Sequence, residues 1–451
     1  MTTRTSATSG NWRADDADTW GLGLNNYPAA GEHVVIDTGH TVTLGESNDA
    51  GSIKLIGTLA GGGHTLTLND GGDNEIFDHD GTITGTLNIT ITGTTNRLLD
   101  LAGSSGNVNN LTINASSTRF DLSGSGTHTV GGNLTITAGE LDTTTNNKDL
   151  TVTGDVIIAA SGNLTCNSST VIVNSFTISS NGTLSLPDAS GSCTITGSKS
   201  GWSLQNNSQN LSHNNGTVTQ TGNGHHKSVF TNPLYNFVVN MVHLSHQATF
   251  RAAGVGGLSL TEVKVAANDV TVTRGTLQFN TSTDNAEMGS LTIGSEGTYT
   301  ATSGTTTITG KESGACFDNS GTFTHNNGTV SFTKSGGTWT TIFNSGGQSF
   351  YDVNVDSSTG QAIYANDPLT ILNNFTLVRG TFIANAASSH DGDITVRGLT
   401  TIGGGANATK LENDGRTLQL ENVTVLSNGT IDVAEGTNNF GGIRNVGGTI
   451  T

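Results

Sequence analysis

An all-β, right-handed parallel β-helix is the fold this sequence predicts, with three short strands per turn of about 20–23 residues. Two observations carry the prediction. First, apolar positions between 131 and 197 recur at one interval. Leu134, Val156 and Phe176 form one series; Leu141, Leu164 and Leu184 form a second; Leu150, Val171 and Cys193 form a third. Second, each line carries three short alternating runs separated by Gly, Asn, Ser and Asp, the residues that make turns. Alternation of the Leu-Thr-Ile-Thr kind sends the aliphatic side chains to one face and the threonines to the other. One such line cannot bury its apolar face, whereas stacked lines make a continuous interior. An antiparallel sandwich with regularly spaced strands is the competing architecture, and columns matched over three lines favour the solenoid.

Composition bounds the rest. The chain has 451 residues, long enough for two or three ordinary domains or for one solenoid. Charged residues make up 12%, too few for a disordered polar tail. Hydrophobic residues make up 33%, which suits a thin column that exposes most of its residues. No long segment has a 3.6-residue period, so helix content is expected to be small. Lysine plus arginine number 18 against 36 acidic residues, a net charge of −18. Such a surface suits neither nucleic acid, which needs clustered cations, nor anionic membranes. It does suit solubility. The most apolar stretch, residues 235–244, is too short to span a bilayer.

Taken in order, residues 1–50 are expected to cap the first turn, 51–200 to form regular β-helix, and 201–312 and 313–451 to be two copies of one module. The cap is read from Trp12, Trp20, Tyr27 and Pro28, since an open solenoid end presents unpaired strand edges and a bare apolar column. The duplication is read from three ordered matches. His213-Asn214-Asn215-Gly216-Thr217-Val218 recurs from His325 to Val330. Further along, 234–240 match 350–356, and 273–280 match 378–385, at similar offsets. Most of the aromatic residues follow position 200, and the placement of Phe237, Phe323 and Phe332 inside alternating runs points to core stacking.

Two resemblances attach to these residues. Gly10-Asn11-Trp12, Trp20, Pro28 with Gly31, and the Val34-Val35-Ile36-Asp37 run leading to Gly39-His40-Thr41-Val42-Thr43-Leu44 are similar to the opening of many β-helical surface and phage structural proteins. They also resemble the eight-glycine domain of extracellular proteins. The His-Asn-Asn-Gly-Thr-Val modules, each followed by an aromatic strand, resemble those of large bacterial surface proteins and phage virion fibres. In those relatives the module is structural.

The residues offer little chemistry. A glycan-cleaving β-helix needs carboxylates paired across turns. Asp15 with Asp16, Asp78 with Asp80, and Asp391 with Asp393 are the acidic pairs, better explained as turn residues and solvated charges. His213, His225, His226, His243 and His246 form a cluster along the chain. His243 and His246 have a spacing that suits a metal on a helix, but on a strand they point to opposite faces. Structural calcium at Asn69-Asp70-Gly71-Gly72-Asp73-Asn74-Glu75 is the one cofactor the pattern allows, and it lacks the Gly-Gly-x-Gly-x-Asp nonapeptide. Gly61-Gly62-Gly63 reads as a turn, not a phosphate loop. Cys166, Cys193 and Cys316 read as buried free thiols, although Cys166 and Cys193 could approach across one turn. The many Asn-x-Thr triplets, such as those at Asn110 and Asn133, follow from turn and strand composition. No catalytic, cofactor-binding or metal-binding residue is therefore assigned.

Residues 1–12 have no apolar region of the secretory kind, which points to a particle assembled in a cytoplasm. The last residues resemble an unfinished turn, expected to be covered by another subunit, a copy of the chain or a further segment. The expected function is a non-enzymatic structural or attachment protein, a bacteriophage fibre, spike or capsid-decorating protein. It would be homo-oligomeric (a trimer by analogy), with other virion proteins and host surface glycans as partners. A bacterial cell-surface adhesin or filament subunit, extracellular in location, is the alternative. A polysaccharide-depolymerising tailspike is the second. About 20 turns at ~4.8 Å would give a shaft on the order of 95 Å.

Overall fold

The computed structural model describes residues 2–13, 18–23, 26–70, 73–143, 147–208, 210–228, 233–252, 262–279, 284–310, 314–334, 339–358, 361–385, 391–433 and 436–451. Every element among them is a β-strand, and strands in successive turns pair in parallel. The chain is a parallel β-solenoid of about 16 turns. The count falls below the expected 20 because many turns are longer than the 131–197 stretch suggests. Leu164 faces Leu184 on the next turn, a short step, whereas Ala384 faces Asn413 and Phe237 faces Val270, both much longer ones. Two compact units divide the chain, one comprising Met1–Val218 with Lys227–Asn232 and the other Thr219–His226 with Pro233–Thr451.

In the first unit the three columns read from the sequence are register partners. Leu134 pairs with Val156 and Val156 with Phe176; Leu141 pairs with Leu164 and Leu164 with Leu184; Leu150 pairs with Val171 and Val171 with Cys193. All of these side chains are buried. Alternation does what period 2 requires: the strand Leu134–Asp142 buries Leu134, Ile136, Ala138 and Leu141 and turns its threonines outward. The antiparallel sandwich is thereby excluded for these strands.

Corners are held by an amide ladder. Asn110 donates its Nδ2 to Asn88 Oδ1 at 2.9 Å, and its own Oδ1 accepts the Asn133 N–H at 2.9 Å. Asn133 Oδ1 accepts the Asp155 N–H at 2.8 Å, and Asp155 Oδ1 accepts Asn174 Nδ2 and the Ser175 hydroxyl. On these turns a side chain at the strand start meets a polar group one turn away. The Asn-x-Thr triplets at Asn88, Asn110 and Asn133 belong to this ladder. At the start of the unit Trp12 and Trp20 are buried edge to face, 5.3 Å between centroids, and Trp20 Nε1 donates to the Trp12 carbonyl. The strands Thr3–Thr5 and Gly10–Asn11 already pair in parallel with His33–Ile36 and Thr41–Thr43.

The second unit replaces much of the aliphatic column by rings. His226, Phe250, Phe279, Tyr299, Phe323 and Phe350 follow one another at centroid distances of 5.0, 6.4, 6.0, 6.1 and 5.2 Å, and Phe317 packs against both Phe323 and Phe350. Phe237, Phe323 and Phe332 lie in the core, as their alternating runs require.

The duplicated His-Asn-Asn-Gly motif is a turn with one geometry in both copies. The Gly216 N–H donates to the His213 carbonyl at 2.8 Å and the Gly328 N–H to the His325 carbonyl at 2.9 Å. Both asparagines between them are left-handed, with φ of 46° and 61° in the first copy and 46° and 59° in the second. This is a type I′ turn, which asparagine tolerates better than other residues with a Cβ. The first asparagine also donates its Nδ2 to a carbonyl of the preceding turn, Leu186 or Ala301, at 2.7 Å in each copy. Asn326→Ala is expected to lower the stability of the second unit by about 2 kcal/mol, combining the left-handed penalty and the lost hydrogen bond. Asn326→Gly should recover the conformational part, and urea midpoints of the two variants separate the contributions.

Candidate functional site

Among the described residues, a group of ionisable side chains gathers across neighbouring turns of the first unit. Register places Phe77 opposite Ile53 and Leu99, which brings Lys54, Asp78 and Asp100 onto neighbouring turns. Oxygens of Asp78, Asp80 and Asp100 lie within 4.8 Å of one another. The Lys54 ammonium donates to Asp78 and, at 3.3 Å, to Asp80. These carboxylates hold its pKa above the ordinary lysine value, the Asp78 hydrogen bond most of all. Asp100 is 5% exposed, and burial pushes its carboxyl above the usual range, helped by the charges of Asp78 and Asp80. Glu75 is raised as well, mainly by burial. Gly124 closes the space over Asp100: it adopts φ 67°, and a Cβ there would overlap the Asp100 carboxylate.

Three carboxylates at this separation could hold a hard divalent cation. Lys54 supplies a cation to two of them from the protein itself. A carboxyl with a raised pKa close to a second carboxyl is also an arrangement that glycoside hydrolysis uses. Neither of the grooves described below is lined by these residues. Asp78 and Asp80 stood out in the sequence as a pair and Glu75 only as part of the suggested calcium turn, whereas Lys54 and Asp100 did not stand out. Their signal was present only as spacing, since Asp78 and Asp100 stand one turn apart.

No protein-family model, curated protein or solved structure matches this chain. Its site chemistry therefore stands on its own residues.

The other candidates separate. Asp15 and Asp16 lie outside the described residues, as do Gly71 and Gly72 of the suggested calcium turn. Asp70 accepts hydrogen bonds from Thr94 and Thr95 on the next turn, which is the corner-ladder role again. Asp391 pairs with Arg416 at 3.0 Å, and Asp393 accepts the Thr417 N–H at 2.7 Å. His243 and His246 are not on a strand. They close a turn in which the His246 N–H donates to the His243 carbonyl, so their rings meet at 4.8 Å instead of diverging. Cys166, Cys193 and Cys316 are free and buried; burial pushes Cys166 far up, Cys193 to about 12 and Cys316 to about 11, which leaves all three as unreactive thiols.

Open polar grooves lie among the described residues, two of them next to residues already named. One, of about 640 Å³, lies beside the second His-Asn-Asn-Gly turn and is lined by His325, Asn327, Gln348 and Leu372 among others. His325 stacks on Tyr351 at 5.7 Å, and its Nδ1 accepts the Asn327 N–H. Gln348 is held at both ends of its amide, since its Oε1 accepts from Asn319 and Phe323 and its Nε2 donates to Gly346. The second groove, of about 660 Å³, belongs to the first unit and is lined by Asn96, Arg119, Glu140, Ser161 and Asn163 together with residues 116–118. Arg119, Glu140 and Asn163 are register partners on three successive turns.

Proposed function

We propose that this chain is a non-enzymatic structural and attachment protein, a bacteriophage virion component of the fibre, spike or capsid-decorating kind. The observation that carries the reading is how the chain uses its ionisable groups. The column is filled by packed side chains, and several acidic residues that meet across turns are tied to cations: Asp78 and Asp80 to Lys54, Asp142 to Arg119, Asp356 to Arg379, Asp432 to Lys410. Such cross-turn pairs hold the rungs together and leave a surface of threonine, serine and asparagine for display. A net charge of −18 keeps copies from associating side to side before assembly. The likeness of the repeated modules to phage fibre modules supports a virion location, as a homo-oligomer among other virion proteins and facing host surface glycans.

Immunogold electron microscopy with antibodies to the purified protein tests this on a phage lysate and on the producing cells. Gold on particles is the expected result. Gold confined to the cell envelope would establish the adhesin or filament alternative instead. The raised carboxyls Glu75 and Asp100 are the specific ground for the depolymerase reading. Release of reducing ends from capsular polysaccharide by the wild-type chain, lost in Asp100→Asn, would replace the structural role with an enzymatic one.

A further inference from the structure

We propose that the groove of the first unit built on Asn96, Arg119, Glu140 and Asn163 is a saccharide-binding site. This deepens the attachment reading and rests on it. Four observations converge there. The groove is made by an insertion: Asn114 pairs with Ala138 and Arg119 with Glu140, so positions 115–118 stand opposite Gly139 alone. The surplus bulges from the ladder, and bulges re-aim side chains at sheet irregularities. The bulge is also strained, since Ser117 has φ 60° without being glycine, asparagine or aspartate. It constrains its neighbour as well: Gly139 has φ 90°, and a Cβ there would overlap the carbonyl oxygens of Ala115 and Thr118.

The third observation is an acceptor with nothing to accept. Asn163 Oδ1 is buried and has no hydrogen-bond partner, an arrangement that costs on the order of 1–3 kcal/mol unless a donor arrives. Asn110, Asn133 and Asn174 of this unit are engaged from turn to turn, and Asn163 differs from them. The fourth is the chemistry of its register partners. Glu140 accepts the Thr165 hydroxyl on Oε1 at 2.7 Å, which orients the carboxylate. Arg119 is held by Asp121 through Nε and by Asp142 through Nη2 at 3.2 Å, which fixes the guanidinium and leaves Nη1 for a ligand.

A guanidinium donor, a carboxylate acceptor and an amide acceptor thus follow one another at the turn spacing of ~4.8 Å, flanked by the exposed hydroxyls of Ser116, Ser117 and Ser161. Hydroxyls around a sugar ring are donor and acceptor at once and match such a mixed set. A phosphate or sulfate does not, because it would face Glu140 and supply no proton to Asn163. A peptide does not either, since the strand backbones here are already paired with their neighbours.

The test uses the full chain on a printed array of neutral and acidic bacterial O-chain and capsular oligosaccharides, with three proteins: wild type, Asn163→Ala and Ser161→Trp. Ser161 is exposed on the groove, so an indole there fills it without entering the core. Asn163→Ala removes an unpaired buried oxygen and should leave the thermal midpoint unchanged or raise it. Binding by wild type that falls at least tenfold in both folded variants is the expected result. Binding kept within twofold in both variants would overturn the site while leaving attachment intact. No saccharide bound by wild type would overturn the inference, and labelling of particles would still decide the attachment reading separately.

Discussion

Phe317→Ala is expected to destabilise the second unit by about 3–5 kcal/mol, among the largest effects of any single truncation there. Phe317 is fully buried, edge-on to Phe323 at 5.6 Å and tilted against Phe350 at 5.1 Å. Its register partners one turn away on either side are Leu291 and Ile342. The cost sits at the upper end of the range for aromatic deletions because a solenoid cannot close the hole. Hydrogen-bonded turns above and below hold their spacing at ~4.8 Å, so neighbouring rings can rotate but cannot move together along the axis. Two ring–ring contacts, each worth ~0.5–1.5 kcal/mol beyond area burial, go with the side chain. Phe317→Leu keeps most of the volume and should cost roughly 1–2 kcal/mol. The check is a urea titration that follows the second unit, with the midpoint falling and the slope unchanged. A loss below about 1 kcal/mol would mean that the ring column is not what holds these turns together.

That column shows what the sequence made legible. Placing Phe237, Phe323 and Phe332 inward needed only alternation, and the aliphatic and thiol columns of the first unit needed only a fixed interval. Both are local properties of a repeating chain; the rings are buried and the columns stand in register. What could not be read were departures from the interval. The long turns that separate Ala384 from Asn413 and Phe237 from Val270 hide their insertions inside ordinary polar sequence, which is why the turn count came out high. The charged cluster and the groove share that difficulty. Asp78 was conspicuous beside Asp80, but its true neighbours Lys54 and Asp100 lie on the turns before and after it. Arg119, Glu140 and Asn163 are likewise one turn apart, unremarkable one by one and adjacent only once the register is known. His243 and His246 failed for the opposite reason. Their spacing was read on a strand, and the chain turns there.

Acidification from pH 6.5 to about 4.5 is expected to weaken both units through buried histidines before the ordinary carboxylates respond. His226 is 1% exposed between Phe237 and Phe250, and burial, with the neighbouring His225 as a lesser cause, pushes it down to about 3. His128 is fully buried in the first unit, where its Nδ1 accepts the Leu101 N–H at 3.1 Å, and burial lowers it to about 4. Unfolded histidine titrates near 6.5. Below that value the unfolded chain takes up protons that the folded chain refuses, so this stability is complete above pH 6.5 and falls as pH drops toward each folded value. The slope is ~1.4 kcal/mol per pH unit for each such histidine. Glu75 and Asp100 work in the other direction, because their raised carboxyls are a cost at neutral pH that protonation relieves. Both belong to the first unit and offset part of its loss from their raised values down to about pH 4, where the unfolded carboxyls protonate as well. His128→Gln keeps an acceptor for the Leu101 N–H and should flatten the first unit's slope between pH 6.5 and 4.5. His226→Phe keeps the ring stack and should flatten that of the second, whatever either variant does to stability at pH 7. Urea titrations at four pH values give the slopes, and ring-proton NMR gives the titrations directly. A His226 ring that protonates with a midpoint near 6.5 in the folded chain would refute the account, because an imidazolium between Phe237 and Phe250 could persist only if water reached the column.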